Sequence, residues 1–165
     1  MLTKNFYSYM RGALQKASDA KFTRTDGDTN VLSFSSSDTP PFKAMNSWAK
    51  SATTTGVSFG TGTTPATASD YCLESILTST EISVSVPSAV SFSRGDSFDE
   101  YSVSFGVTNI TAETINISEV GLIALPQSTW YVLVDRTVLD TPITIPAGQS
   151  KQITYTIRFN YGDAV

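Results

Sequence analysis

Gln152-Ile-Thr-Tyr-Thr-Ile-Arg-Phe-Asn-Tyr161 alternates apolar and polar residues without a break. Ile153, Tyr155, Ile157, Phe159 and Tyr161 fall on one face of an extended chain, and Gln152, Thr154, Thr156, Arg158 and Asn160 fall on the other. A strict period of two is the pattern of a strand with one buried face, and β-branched and aromatic residues fit that pleated surface. Just upstream, Ile143 and Ile145 alternate in the same way, and Pro146-Ala147-Gly148 separates the two runs. Proline cannot donate to a ladder and glycine admits the positive φ of a turn. A strand this long and this one-sided needs a second sheet over its apolar face.

The same signal recurs toward the N-terminus. Ile82, Val84 and Val86 alternate up to Pro87; Val90 and Phe92 follow; Tyr101, Val103, Phe105 and Val107 alternate again after a turn at Arg94-Gly95-Asp96. Ile115 and Ile117 give way to Val120, Leu122 and Ala124, so the apolar parity shifts across Ser118-Glu119. Such a shift predicts a β-bulge that re-aims Glu119, with an edge-strand charge as the plainer reading of that residue. Trp130 to Leu139 is a further strand, and Val31 to Phe34 and Val57 to Phe59 are short ones. The prediction is an all-β chain, an antiparallel two-sheet sandwich of roughly eight or nine strands. Its core is expected on Val103, Phe105, Ile117, Leu122, Ile153, Tyr155, Ile157 and Phe159.

The first 24 residues read differently. Leu2, Phe6, Tyr9, Met10, Ala13 and Leu14 recur at helical spacing, which predicts a helix over Thr3–Ala17 capped by Thr3 or Asn5. Lys4, Arg11, Lys16, Lys21 and Arg24 stand against Asp19 alone, a charge of +4 that leaves −8 for the rest of a chain with net charge −4. The division expected is a helical arm over 1–24 and a single sandwich domain over 25–165, loop-rich between 35 and 80. A basic amphipathic arm suits an acidic neighbour, and a second copy of the chain offers one. Leu2, Lys4, Phe6, Met10, Arg11 and Leu14, with Gly60 and Gly62 of the glycine-kinked loop, are the expected interface residues. Between the regions, Phe42–Lys50 allows one helical turn carrying Met45 and Trp48, and Ser69-Asp70 could cap another through Leu73 and Ile76.

Several chemistries are excluded or weakened by composition. There is no histidine, which removes Ser-His-Asp and Cys-His catalysis and every His-ligated metal site. The single cysteine, Cys72, permits no internal disulfide and has no evident cationic activator. Asp26, Asp28 and Asn30 imitate the start of a calcium loop, but Val31 and Ser37 stand where glycine and glutamate are required, so a plain turn is expected. Gly60-Thr-Gly-Thr-Thr-Pro65 lacks the Lys-Ser/Thr of a phosphate loop. Asp96, Asp99 and Glu100 are close in sequence, yet a solvated turn explains them more simply than a carboxylate pair of a glycosidase. Arg94-Gly95-Asp96 matches an adhesive tripeptide that a hairpin turn accounts for. No enzyme, cofactor or metal is expected. No apolar run approaches the length of a bilayer span, no secretory signal is read at the start, and the acidic body argues against nucleic acid.

Three stretches together carry a resemblance. They are Val57-Ser-Phe-Gly-Thr-Gly-Thr-Thr-Pro-Ala-Thr-Ala-Ser-Asp-Tyr-Cys-Leu-Glu-Ser75, Ile117-Ser-Glu-Val-Gly-Leu-Ile123, and Leu133-Val-Asp-Arg-Thr-Val-Leu139 followed by Ile143 to Phe159. In this order they resemble small structural proteins of tailed-bacteriophage virions, over roughly residues 55 to 161. The resemblance implies a non-enzymatic virion subunit of the tail, connector or capsid-associated class. It would be made in the host cytoplasm and would assemble with copies of itself and other virion proteins. It implies no catalytic residue. The competing expectation is a carbohydrate- or receptor-binding module, for which Trp48, Trp130 and Tyr131 are the candidate rings.

Overall fold

The structure is a computed structural model, and it describes residues 1–15, 20–32, 49–50, 55–85, 89–127 and 130–160. Among them one helix, α1 (Lys4–Gln15), precedes ten strands: β1 (Ala20–Thr23), β2 (Thr29–Leu32), β3 (Ala49–Lys50), β4 (Thr55–Gly60), β5 (Ile82–Val84), β6 (Ala89–Arg94), β7 (Phe98–Asn109), β8 (Ile115–Gln127), β9 (Trp130–Ile145) and β10 (Ser150–Asn160). The chain is mostly β, and every pairing is antiparallel. One four-stranded sheet runs β3-β4-β8-β9. A second runs β10-β7, with β5 and β6 sharing the other edge of β7. β1 and β2 form a separate hairpin.

The period-two residues of both four-stranded sheets enter one hydrophobic cluster. Val57, Phe59, Ile117, Val120, Leu122 and Val132 come from the first sheet; Ile82, Val103, Phe105, Val107, Ile153, Tyr155 and Ile157 come from the second. Phe59 meets Phe105 edge to face at 6.5 Å between ring centres. Of the eight expected core residues, seven are buried, and Phe159 is half-buried against the same cluster. The opposite face of the second sheet is a ladder of paired hydroxyls, Ser102 with Thr156, Ser104 with Thr154 and Thr108 with Ser150. The turn before β10 is built as expected: Gly148 has φ +68°, and the Gln149 amide donates to the Pro146 carbonyl.

Four expectations are corrected. The runs Trp130–Leu139 and Ile143–Ile145 are one strand, β9, interrupted only by a register shift: Ile117 faces Ile143 whereas Glu119 faces Val138. The bulge therefore exists, but its extra residues lie on β9. The proposed helical turn after Ser69-Asp70 does not form; residues 61–75 cross the sheet as an irregular strap. Asp70 accepts from Thr67, three residues back, and faces Arg136 instead of capping a helix. Ala49–Lys50 is a strand and not the end of a helical turn, while Met45 and Trp48 lie outside the described residues.

The described residues of the segment 1–24 are tied to the rest of the chain. Its expected caps are used as ties. Thr3 Oγ1 donates to the Leu133 carbonyl, its amide donates to the Val134 carbonyl, and Asn5 Nδ2 donates to Thr23 and Leu133 while Asn5 Oδ1 accepts the Thr23 amide. Residues 1–3 lie along the edge of β9, and Phe6 stacks on Phe159 with ring centres 6.1 Å apart. The physical reason is the open edge of β9. An edge strand with unsatisfied amides and carbonyls is a poor terminus for a sheet, and the nearest polar chain covers it. Asp26-Gly27-Asp28 closes the β1–β2 hairpin with Gly27 at φ +92°, and Arg24 lies 2.6 Å from Asp26.

Candidate functional site: a buried charge cluster

Strand β8 turns Val120, Leu122 and Ala124 to the main core and sends Glu119, Gly121 and Ile123 to its other side. There the strap covers them. Glu119 is 0 % exposed and Arg136, from β9, is 3 % exposed. An isolated charge at such depth is costly, so each must be met by partners.

Glu119 is fully engaged. Its Oε1 accepts the amides of Gly62 (3.2 Å) and Ser75 (2.8 Å), and its Oε2 accepts the amide of Glu74 (3.1 Å) and Nε of Arg136 (2.8 Å). Four donors match the four acceptor positions of a carboxylate. Arg136 spends the rest of its guanidinium on the strap: Nη1 donates to Asp70 at 2.7 Å and Nη2 reaches Glu74 at 3.4 Å. The strap carboxylates are braced in turn. Asp70 accepts from the amide and hydroxyl of Thr67, and Glu74 from the amide and hydroxyl of Thr64.

These partners set the ionisation. Burial pushes the Asp70 carboxyl up, but hydrogen bonds from Arg136 and Thr67 outweigh it and hold it below the ordinary carboxylate range. The Thr64 amide and hydroxyl hold Glu74 low. Burial works against the Arg136 charge, and the bonds to Asp70 and Glu119 more than restore it. Burial raises the nearby Cys72 thiol, the opposite of an activated nucleophile.

Close approach explains the glycines. A Cβ on Gly60 would sit 2.5 Å from Glu119 Oε1 and 2.6 Å from the Ser75 carbonyl; one on Gly62 would sit 2.6 Å from the same Oε1. On Gly121 a Cβ would strike Leu73 and Leu133 at 2.8 and 2.9 Å. Those two leucines, with Ile123 and the half-buried Tyr131, form a second hydrophobic cluster beneath the strap. A second buried carboxylate, Asp135, accepts the Tyr155 hydroxyl at 2.7 Å across the main core. Burial, then the Asp135 charge, raise the tyrosine well above its ordinary value.

The expected interface residues are distributed as follows. Gly60 and Gly62 are buried under Glu119. Leu2 is half-buried on the β9 edge, and Lys4 is exposed with its Nζ 3.0 Å from Ser69 Oγ of the strap. Phe6 and Met10 are half-buried, Arg11 is exposed, and the Leu14 side chain lies outside those described. The structure thus brings Lys4 beside the strap that carries Gly62. Trp130 and Tyr131 are half-buried, and the exposed ring pair is instead Phe92 and Tyr101, 4.9 Å apart. Asp99 and Glu100, weighed as catalytic carboxylates, make cross-strand pairs with Arg94 (2.7 Å) and Arg158 (2.6 Å).

Sequence reasoning took Glu119 for an edge charge and gave Arg136 no role of its own. The parity shift at Ser118-Glu119 was the available signal; the partner was not readable, because Arg136 lies on another strand. Chemically the cluster holds chain segments together. Every carboxylate oxygen of Glu119 faces a fixed donor, and none points to open solvent. No group of three or more residues suited to a metal occurs among the described residues, and no helix among them is long and apolar enough to cross a membrane. Comparison with family models, curated proteins and solved structures finds no match.

Proposed function

We propose that this chain is a non-enzymatic structural subunit of a bacteriophage virion, in the tail, connector or capsid-associated class, assembling with copies of itself and other virion proteins. We further infer that the two four-stranded sheets, which share one hydrophobic cluster, form the faces of a β-sandwich. One observation carries the functional reading. The three stretches that resemble virion proteins are far apart in sequence, and all three supply the buried cluster: Gly60, Gly62, Asp70, Leu73 and Glu74 from the first, Glu119 and Gly121 from the second, Leu133 and Arg136 from the third. The resemblance therefore lies on one interlocked framework, which is what a rigid repeated building block requires. The residues engaged there act as mutual partners, and the resemblance implies no reaction for them.

The test is the state of association. Purified protein studied by native mass spectrometry and negative-stain electron microscopy is expected to form closed rings or tubes of one repeat. A strictly monomeric chain, alone and with particle proteins from the same genome, would overturn the reading. A second reading, a carbohydrate- or receptor-binding module, is favoured by the exposure of Phe92 (50 %) and Tyr101 (42 %). Glycan binding abolished by Phe92→Ala and Tyr101→Ala in a monomer would support it instead.

A further inference from the structure

The strap has an unusual attachment. Its apolar hold on the sheet beneath it is Leu73, packed on Ile123 and Leu133. Leu77, at its end, is buried in the main core and is fixed by its own amide bond to the Phe59 carbonyl. Between Gly62 and Ser75 the polar hold on that sheet comes from two side chains, Glu119 of β8 and Arg136 of β9. α1 adds the bonds from Lys4 to Ala68 and Ser69. Most other hydrogen bonds of the strap run within it, from Thr61 to Ser75, from Thr64 to Glu74 and from Thr67 to Asp70. A segment held to itself by local bonds and to the body by a few polar bonds and one leucine can move as a unit once part of that hold is weakened.

We propose that residues 61–75 are an acid-releasable strap: protonation of Asp70 and Glu74 detaches it from Arg136 while both four-stranded sheets stay folded. Each carboxylate that takes up a proton ceases to be an anionic partner, and the guanidinium is left with Glu119 alone. The charged and titratable groups around the two carboxylates are Arg136 from β9, Glu119 from β8, the Lys4 ammonium from α1 and the Cys72 thiol of the strap itself. Of these, Arg136 and Lys4 keep their charge in acid.

The sign follows from the environment. Both carboxyls sit below their ordinary values in the folded chain. The attachment they supply is therefore complete above the ordinary carboxylate range and is lost as the pH falls through their lowered values. Release uncovers Ile123, Leu133 and Gly121, an apolar strip on the first sheet that is hidden at neutral pH.

Hydrogen exchange read by mass spectrometry at pH 7 and about pH 2, corrected for intrinsic rates, decides the matter, the lower value lying roughly two units below the unperturbed carboxylates so that lowered groups protonate as well. In acid, amides of residues 62–75 are expected to lose protection by about tenfold or more, as a locally opened segment does. The β7 and β10 amides should keep theirs. The double variant Asp70→Asn with Glu74→Gln should show the released pattern already at pH 7 and no further strap response to acid. Loss of strap and sheet protection in one step would overturn the proposal. So would a strap still protected in acid, or a double variant that behaves as the parent.

Discussion

Gly121 lies in close contact with the leucines of the second cluster. A methyl group there meets Leu73, Leu133 and, at 3.0 Å, the Asp135 carbonyl, and backbone cannot move aside as a side chain can. Gly121→Ala should therefore destabilise by about 1–3 kcal/mol, the usual cost of overpacking a core, read as a lower urea midpoint with unchanged slope. Ser58 behaves oppositely. Its hydroxyl is buried with no hydrogen-bond partner among the described residues. Ser58→Ala should be neutral or stabilising by up to about 1 kcal/mol, since a buried unsatisfied group is removed and little space is opened. A clear loss of stability would mean that the hydroxyl has a partner. Ile157→Asp places an unpaired charge in the main core and should abolish soluble folding; a well-folded variant would show that Ile157 faces outward.

At the scale of elements, the strands were legible because burial on one face writes itself into sequence as a period of two. β7 and β10 show this most plainly: Val103, Phe105 and Val107 pair through the ladder with Tyr155, Ile153 and Lys151, and the hydroxyl residues fall opposite. The strap was not legible for the converse reason. Nothing periodic holds it; its shape is imposed by Glu119 and Arg136, which lie 44 or more residues away from the amides and carboxylates they bind, save for their own pairing. The N-terminal helix was legible as a helix, but its stripe gave no direction. Phe6 goes to its own core, and Thr3 and Asn5 serve the edge of β9. Phe6→Ala should cost about 2 kcal/mol, roughly half the loss at a fully buried phenylalanine, measured as a fall in melting temperature. A variant lacking residues 1–11 should be less stable still and more prone to associate through the exposed β9 edge. Unchanged melting of either would return the helix to the role of an outlying arm.

For the whole molecule, the paired carboxylates make stability depend on pH in a stated direction. Asp70, Glu74 and Asp99 all have lowered carboxyls, so the stabilisation they bring is present above the unfolded carboxylate range and is lost below it as the folded groups protonate. The melting temperature should be flat near neutrality and fall in acid, beginning near the ordinary carboxylate values. A fall that began well above them would point to other groups. Glu119 and Arg136 act together as a structural lock between the strap, β8 and β9. A double-mutant cycle in urea with Glu119→Gln, Arg136→Met and the pair tests it most directly. Each single change should cost about 3–5 kcal/mol by breaking a buried ion pair and leaving the other charge short of a partner. The pair should cost clearly less than the sum, with a coupling of about 2 kcal/mol or more, near the upper part of the range for residues in contact. Single variants that lose under about 0.5 kcal/mol, as ordinary surface substitutions do, or losses that simply add, would contradict the lock.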